Sequence, residues 1–264
     1  MKNKFVLTVI ATALIIGGAA SLAHADDKPA ALSAAEIIRQ SQAKYASLTS
    51  YSDEGSTVAT LGTTTASSFT FTINLARTNL YQIVWRQAGE FFLPQGVVWS
   101  DGSGDFLWMG KTFKPQKYTD KEMALASATG ISGGAAASVP GTFFKLKWGN
   151  QFAGSTAESK RKADDKIGDT DCYVLTHGAG GRTNTLWIGK QDFLIHQVEN
   201  DTSSAAVKAM LEAQAKTNPQ IRAMLDASAA QMGQEIKSVE THQNIRLNPP
   251  LAQSVFEFKV PAAP

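Results

Sequence analysis

Residues 68–75 read Ser-Phe-Thr-Phe-Thr-Ile-Asn-Leu, and every second residue is apolar. Phe69, Phe71, Ile73 and Leu75 therefore share one face of a strand, while Ser68, Thr70, Thr72 and Asn74 share the other. A faultless period of 2 excludes a helix, whose apolar stripe recurs every three or four residues. It also excludes a doubly buried parallel strand, which would be apolar on both faces. What remains is an antiparallel sheet with one wet face and one face that another layer must cover.

The rest of the chain supplies more strands and the covering layer. Leu80 to Arg86 puts Tyr81, Ile83 and Trp85 on one face. Val97–Ser100 and Asp105–Met109 flank a turn at Asp101-Gly-Ser-Gly104, and Cys172–Thr176 and Thr183–Ile188 flank one at Gly178–Gly181. Further strands are expected at 193–199, 236–247 and 256–261. Ser33-Ala-Ala-Glu36 is a capping-box sequence and opens a helix through Ile37, Ile38, Tyr45 and Leu48. Asp120 is placed to cap a short helix, and Pro140 to start another. Residues 202–233 lack strand character, are rich in Ala, Gln and Met, and divide at Asn218-Pro219 into a helical hairpin. The order predicts an α+β fold, a single curved antiparallel sheet (an unclosed β-barrel) covered by helices.

The amino terminus has the form of a secretory signal. Lys2 and Lys4 precede an apolar run from Phe5 to Ile16, and Ala23-His24-Ala25 is a small-x-small cleavage site. The run is shorter than the roughly 20 residues a membrane span needs. Cleavage after Ala25 would leave residues 26–264 as a single exported domain, periplasmic in a bacterium, with no stable membrane anchor. It would also remove two lysines from a chain of net charge +2. A neutral chain with no basic block argues against nucleic acid and against charge-driven membrane binding. Its one cysteine, Cys172, rules out an intramolecular disulfide and lies in a strand-like run, as a buried thiol does.

Chemistry-bearing motifs are sparse. Gly130-Ile-Ser-Gly-Gly134 matches the G-x-S-x-G string, but a hydrolase needs a strand before it and a helix after it. No strand precedes Ser132, so no catalytic residue is assigned. His177, His196 and His242 have no second ligand at metal spacing, and no metal or cofactor is expected. His196 and His242 fall in strands and read as ordinary sheet-surface histidines. Asp164, Asp165, Asp169 and Asp171 read as a solvated acidic stretch near a turn.

Several local pieces together resemble a known family. They are Tyr45-Ala-Ser-Leu48 with Tyr51, Val98-Trp-Ser-Asp-Gly102, the Ala-rich 123–134 run followed by Pro140, Asp171-Cys-Tyr-Val174, Leu186-Trp-Ile-Gly-Lys190, and Asn244-Ile-Arg-Leu-Asn-Pro-Pro250. The sequence is similar to the LolA-like superfamily of periplasmic lipoprotein carriers, in its predicted periplasmic, lipoprotein-carrier-like branch. That resemblance implies an apolar cavity between curved sheet and helices. It does not place the family's functional arginine, for which no matching position stands out.

The expected function is a soluble, monomeric binding protein for a lipid, a lipoprotein acyl chain or another hydrophobic small molecule. Cavity candidates are Phe69, Phe71, Ile73, Tyr81, Ile83, Trp85, Phe106 and Trp108. The same residues could equally form a filled core. Met210, Leu211, Met224, Leu225 and Met232 of the hairpin at about 202–233 are lid candidates, the alternative being a permanently docked helical pair. A second class of function is an envelope-stress or assembly factor that binds a protein partner without lipid. A third is a serine hydrolase built on Ser132.

Overall fold

The structure is a computed structural model, and it describes residues 31–77, 79–89, 95–110, 114–152, 158–220, 222–223 and 233–261. Residues 1–25, Met224, Leu225 and Met232 lie outside the described residues. Among the described residues, twelve strands form one antiparallel sheet. They are β1 (Ser50–Leu61), β2 (Thr64–Ala76), β3 (Leu80–Gln87), β4 (Gln95–Ser100), β5 (Asp105–Met109), β6 (Gln116–Tyr118), β7 (Lys160–Arg161), β8 (Asp165–Ile167), β9 (Thr170–Ala179), β10 (Arg182–Gly189), β11 (Ile195–Thr202) and β12 (Ile236–Leu247). The order is β6-β5-β4-β3-β2-β1-β12-β11-β10-β9-β7, with β8 also on β9. β6 and β7 end that order without pairing to each other, so the sheet is not closed.

The long-range join is made by β12, which lies between β1 and β11 and stitches the two meanders together. The tight turn at Gly180-Gly181 holds both residues at positive φ (62° and 76°), the conformation a two-residue hairpin requires. The 193–199 strand begins at Ile195, and the strand expected at 256–261 does not form, a short 3-10 turn at Gln253–Phe256 leading into an irregular segment.

Among the described residues, the helices that accompany the sheet include α1 (Ala34–Ser47), α2 (Lys121–Thr129), α3 (Ser138–Phe144) and α4 (Ser204–Ala215). Ser33 caps α1 by accepting from the Glu36 N–H at 3.2 Å, but Glu36 turns to Arg39 and Gln40, so half of the capping box forms. Asp120 caps α2 through Met123 N–H at 2.8 Å. α3 starts at Ser138, with Pro140 in a first turn where its missing N–H has no partner to lose.

Phe69, Phe71, Ile73 and Leu75 of β2 and Tyr81, Ile83 and Trp85 of β3 form one buried cluster with Ile37 and Ile38 of α1, Leu125 of α2 and Phe143 of α3. Trp85 lies flat over Gly96 across the ladder. A Cβ placed on Gly96 would come within 2.1 Å of Trp85 Cζ2. Gly96→Ala is expected to cost about 1–3 kcal/mol by overpacking. Gly130→Ala, where φ is −64° and nothing stands within 4 Å, is expected to change stability little. Urea unfolding of both variants checks the difference.

Candidate functional site

Six of the eight cavity candidates, Phe69, Phe71, Ile73, Tyr81, Ile83 and Trp85, come together on the covered face and are at most 6% exposed. Phe106 and Trp108 do not join them. Val98 and Leu107 are cross-strand partners and both enter the main cluster. The period of 2 then turns Val97, Trp99, Phe106 and Trp108 to the opposite face, where Phe258 closes a small second cluster. The run Phe106-Leu-Trp-Met is apolar on both faces, so sequence alone could not choose its inward side.

The layer over the six residues combines Ile37, Ile38, Leu125 and Phe143 with a stretch of small side chains. Ala124, Ala128, Ala135, Ala136 and Val139 are fully buried in the same cluster, and Gly133 lies against the Phe69 ring. Arg77, just beyond β2, ties this layer by three hydrogen bonds. Arg77 Nε donates to Leu48 O at 2.8 Å, and its two Nη groups donate to Tyr45 O and Phe143 O. Those carbonyls lie at the ends of α1 and α3, where helices leave carbonyls unpaired and carry partial negative charge. The guanidinium also stacks on Phe143 at 4.0 Å. One residue of the sheet therefore holds two covering helices. Arg77 was invisible to the sequence reading, because its partners are backbone atoms.

His242 corrects the surface-histidine expectation. It is 2% exposed and lies on the covered face of β12. Its Nδ1 is 2.6 Å from Asp53 Oδ2, which also accepts from the Tyr51 hydroxyl at 2.7 Å. Its Nε2 is 3.0 Å from Glu240 Oε1, off the N–H direction, so the contact is one of charge and not an aligned hydrogen bond. Glu240 Oε2 accepts from Ser138 Oγ of α3 at 2.9 Å. Asp53 Oδ1, Thr57 Oγ1, Glu240 Oε1 and His242 Nε2 are buried without a hydrogen-bond partner among the described residues.

Burial works against a charged His242, but Asp53 and Glu240 outweigh it and push the imidazolium up to about 10. Burial raises Asp53 above the usual carboxylate range, against the pull of His242. A surface slot of about 480 Å³ runs along β12 at His242, whose side chain stays fully covered. It opens where β12 runs past the last β11 pair, and Asp192, His196, Thr241 and Asn244 line it. The sequence carried a faint signal for this cluster: β12 is polar on both faces, though it lies mid-sheet.

Ser132 is fully buried between α2 and α3. Its hydroxyl donates to Thr129 O and accepts from Ala136 N–H, so it builds the turn, and the buried histidine bonds to Asp53 and not to a serine. Among the described residues, no group of three or more His, Cys, Asp and Glu is arranged to hold a metal ion. Nor is any helix there long and apolar enough to cross a membrane. Asp164 and Asp165 are engaged, with Arg161 and Lys190 on one and the Trp187 indole on the other. Of the lid candidates, Met210 and Leu211 are partly buried on α4, and Met210 Sδ accepts from Arg182 at 3.5 Å. That places α4 at the β9–β10 hairpin tip.

No protein-family model matches the chain, and no curated protein matches it in sequence. Solved structures are similar in fold. LprF from Mycobacterium bovis matches 87% of this chain and 96% of its own, at 11% identity and a TM-score of 0.44. A LolA superfamily protein from Nitrosomonas europaea matches 86% and 99%, at 11% identity and a TM-score of 0.35. The MucA/MucB complex of Pseudomonas aeruginosa matches 85% of this chain and 60% of its own, at 6% identity and a TM-score of 0.38.

Proposed function

We propose that this chain is a binding protein that carries a hydrophobic ligand, such as the acyl chain of a lipid or lipoprotein, between its covered face and its helices. The observation that carries this reading is the Arg77 tie, three hydrogen bonds from one sheet side chain to the ends of two covering helices. The layer mixes Ala124, Ala128, Ala135, Ala136 and Gly133 with the larger Ile37, Ile38, Leu125 and Phe143, and lifting it exposes aromatic surface. An acyl chain entering that space gains about 0.8 kcal/mol per buried CH₂. The apolar amino-terminal run and Ala23-His24-Ala25 support export and a periplasmic location, with the mature chain starting at Asp26.

The test is uptake of a fluorescent long-chain fatty acid by protein purified without detergent, in the unaltered chain and in Arg77→Leu. Saturable 1:1 uptake is expected, with its rate raised at least several-fold in Arg77→Leu. Absence of uptake in both, with the sheet intact by circular dichroism, would remove the carrier reading.

A further inference from the structure

Two of the polar ties between the cover and the sheet engage α3, and they differ in kind. Arg77 holds the carboxyl end of α3 with a guanidinium that stays charged throughout the range in which proteins fold. The amino end is held by Ser138, which donates to Glu240. Glu240 lies against His242, and His242 against Asp53. This second tie therefore rests on three ionisable side chains, each at most 3% exposed.

We propose that the Asp53–His242–Glu240 cluster is a proton-operated latch, which keeps the amino end of α3 docked while His242 is charged and frees it when the cluster loses that cation. The proposal rests on the carrier reading, because it assigns regulation to the same cover. While His242 is charged, each carboxylate has an opposite charge within 3.0 Å. Once it is neutral, Asp53 and Glu240 are two buried anions on either side of an uncharged ring. Their energy falls chiefly if water reaches one of them.

β1 and β12 pair at Tyr51–Leu247 and Ser52–Arg246, and again from Glu54–Gln243 to Leu61–Ile236, with Asp53 in the bulge between. On the cover side, what stands against Glu240 Oε2 is Ser138 at 2.9 Å and Gly134, neither of them bulky. Releasing Ser138 lets solvent reach the carboxylate.

Other groups facing the cluster do not replace its cation. Tyr45 from α1 and Tyr51 from β1 are kept neutral by burial, far above the usual phenol range. Asp192, in the turn before β11, adds negative charge that both phenols feel. Phe71 from β2 meets the His242 ring edge-on at 5.4 Å, and Thr57 carries no charge.

The test needs no ligand. In a Cys172→Ala background, Ala135→Cys places a thiol on the buried side of the cover, and Ser47→Cys gives an exposed reference. The rate of methanethiosulfonate labelling at the first, divided by that at the second, is followed from pH 6 to pH 10. A rise of tenfold or more above pH 8 is expected, with circular dichroism unchanged. Adding Ser138→Ala should make the ratio high already at pH 7 and flatten its profile. Adding Arg77→Lys should raise it at every pH and keep the slope.

A flat ratio, a slope that survives Ser138→Ala, or labelling that rises only as the sheet signal is lost would overturn the latch. Fatty-acid uptake measured alongside separates the two proposals. A pH-dependent ratio without uptake at any pH would sink the carrier reading and leave the latch. Uptake with a flat ratio would do the reverse.

Discussion

Phe71→Asp is expected to abolish folding or to cost about 3–5 kcal/mol, while Thr70→Asp, one residue away, costs under about 0.5 kcal/mol. Phe71 is 4% exposed, and its ring fills the hollow above Gly55, where a Cβ would lie 2.3 Å from Phe71 Cζ. The ring also stands edge-on to His242. An aspartate there loses that packing and adds a third carboxylate beside Asp53 and Glu240, which share one cation. Thr70 is exposed on the other face, and its cross-strand neighbour on β3 is Arg86, so a new carboxylate there meets water and a positive charge. Thermal melts of the two variants decide the matter, and equal midpoints would refute the facing assignment of β2.

Stability is expected to fall as pH rises from about 6.5 toward 10, by up to about 1.4 kcal/mol per pH unit, and His242 is the cause. In the folded chain His242 holds its proton up to about 10. In the unfolded chain it releases it near 6.5. Its stabilising contribution is therefore complete below about 6.5 and is lost as pH climbs to the folded value. Asp53 acts in the same sense. Its value is raised in the folded chain, so its ionised form is disfavoured there and stability also falls as pH rises through that value.

His242→Gln should lower stability at pH 7 by about 3–5 kcal/mol, because it strands two buried carboxylates. The variant should also lose the slope between pH 7 and pH 10. Urea midpoints across that range provide the measurement. A slope in His242→Gln equal to that of the unaltered chain would show that His242 is not the titrating group.

Local pattern was readable wherever chemistry repeats along the chain. The alternation from Phe69 to Leu75 fixed which side chains of β2 face the core, and Tyr81, Ile83 and Trp85 followed the same rule. Ser33 and Asp120 marked helix starts because a cap acts over three residues. The break-up of 202–233 into helical pieces was legible as far as α4, where Ser203 accepts from Ala206 N–H. The 68–75 run, the hairpin turns and the polar caps suffice to specify an antiparallel sheet with helices over one face.

Tertiary structure decided the rest, because the deciding contacts join residues far apart in sequence. Asp53 and His242 are separated by 189 positions and meet only because β12 pairs with β1. A histidine and two acids in polar strands look solvent-facing until that pairing buries all three. Arg77 is one arginine among many until the ends of α1 and α3 arrive beside it and present backbone carbonyls, which no side-chain pattern encodes. Phe106 and Trp108 had two apolar faces to choose from, and only the pairing of Leu107 with Val98 settled which one turned outward. Periodicity carries short-range information, whereas a buried charge cluster is specified by strand order, and strand order belongs to the whole chain.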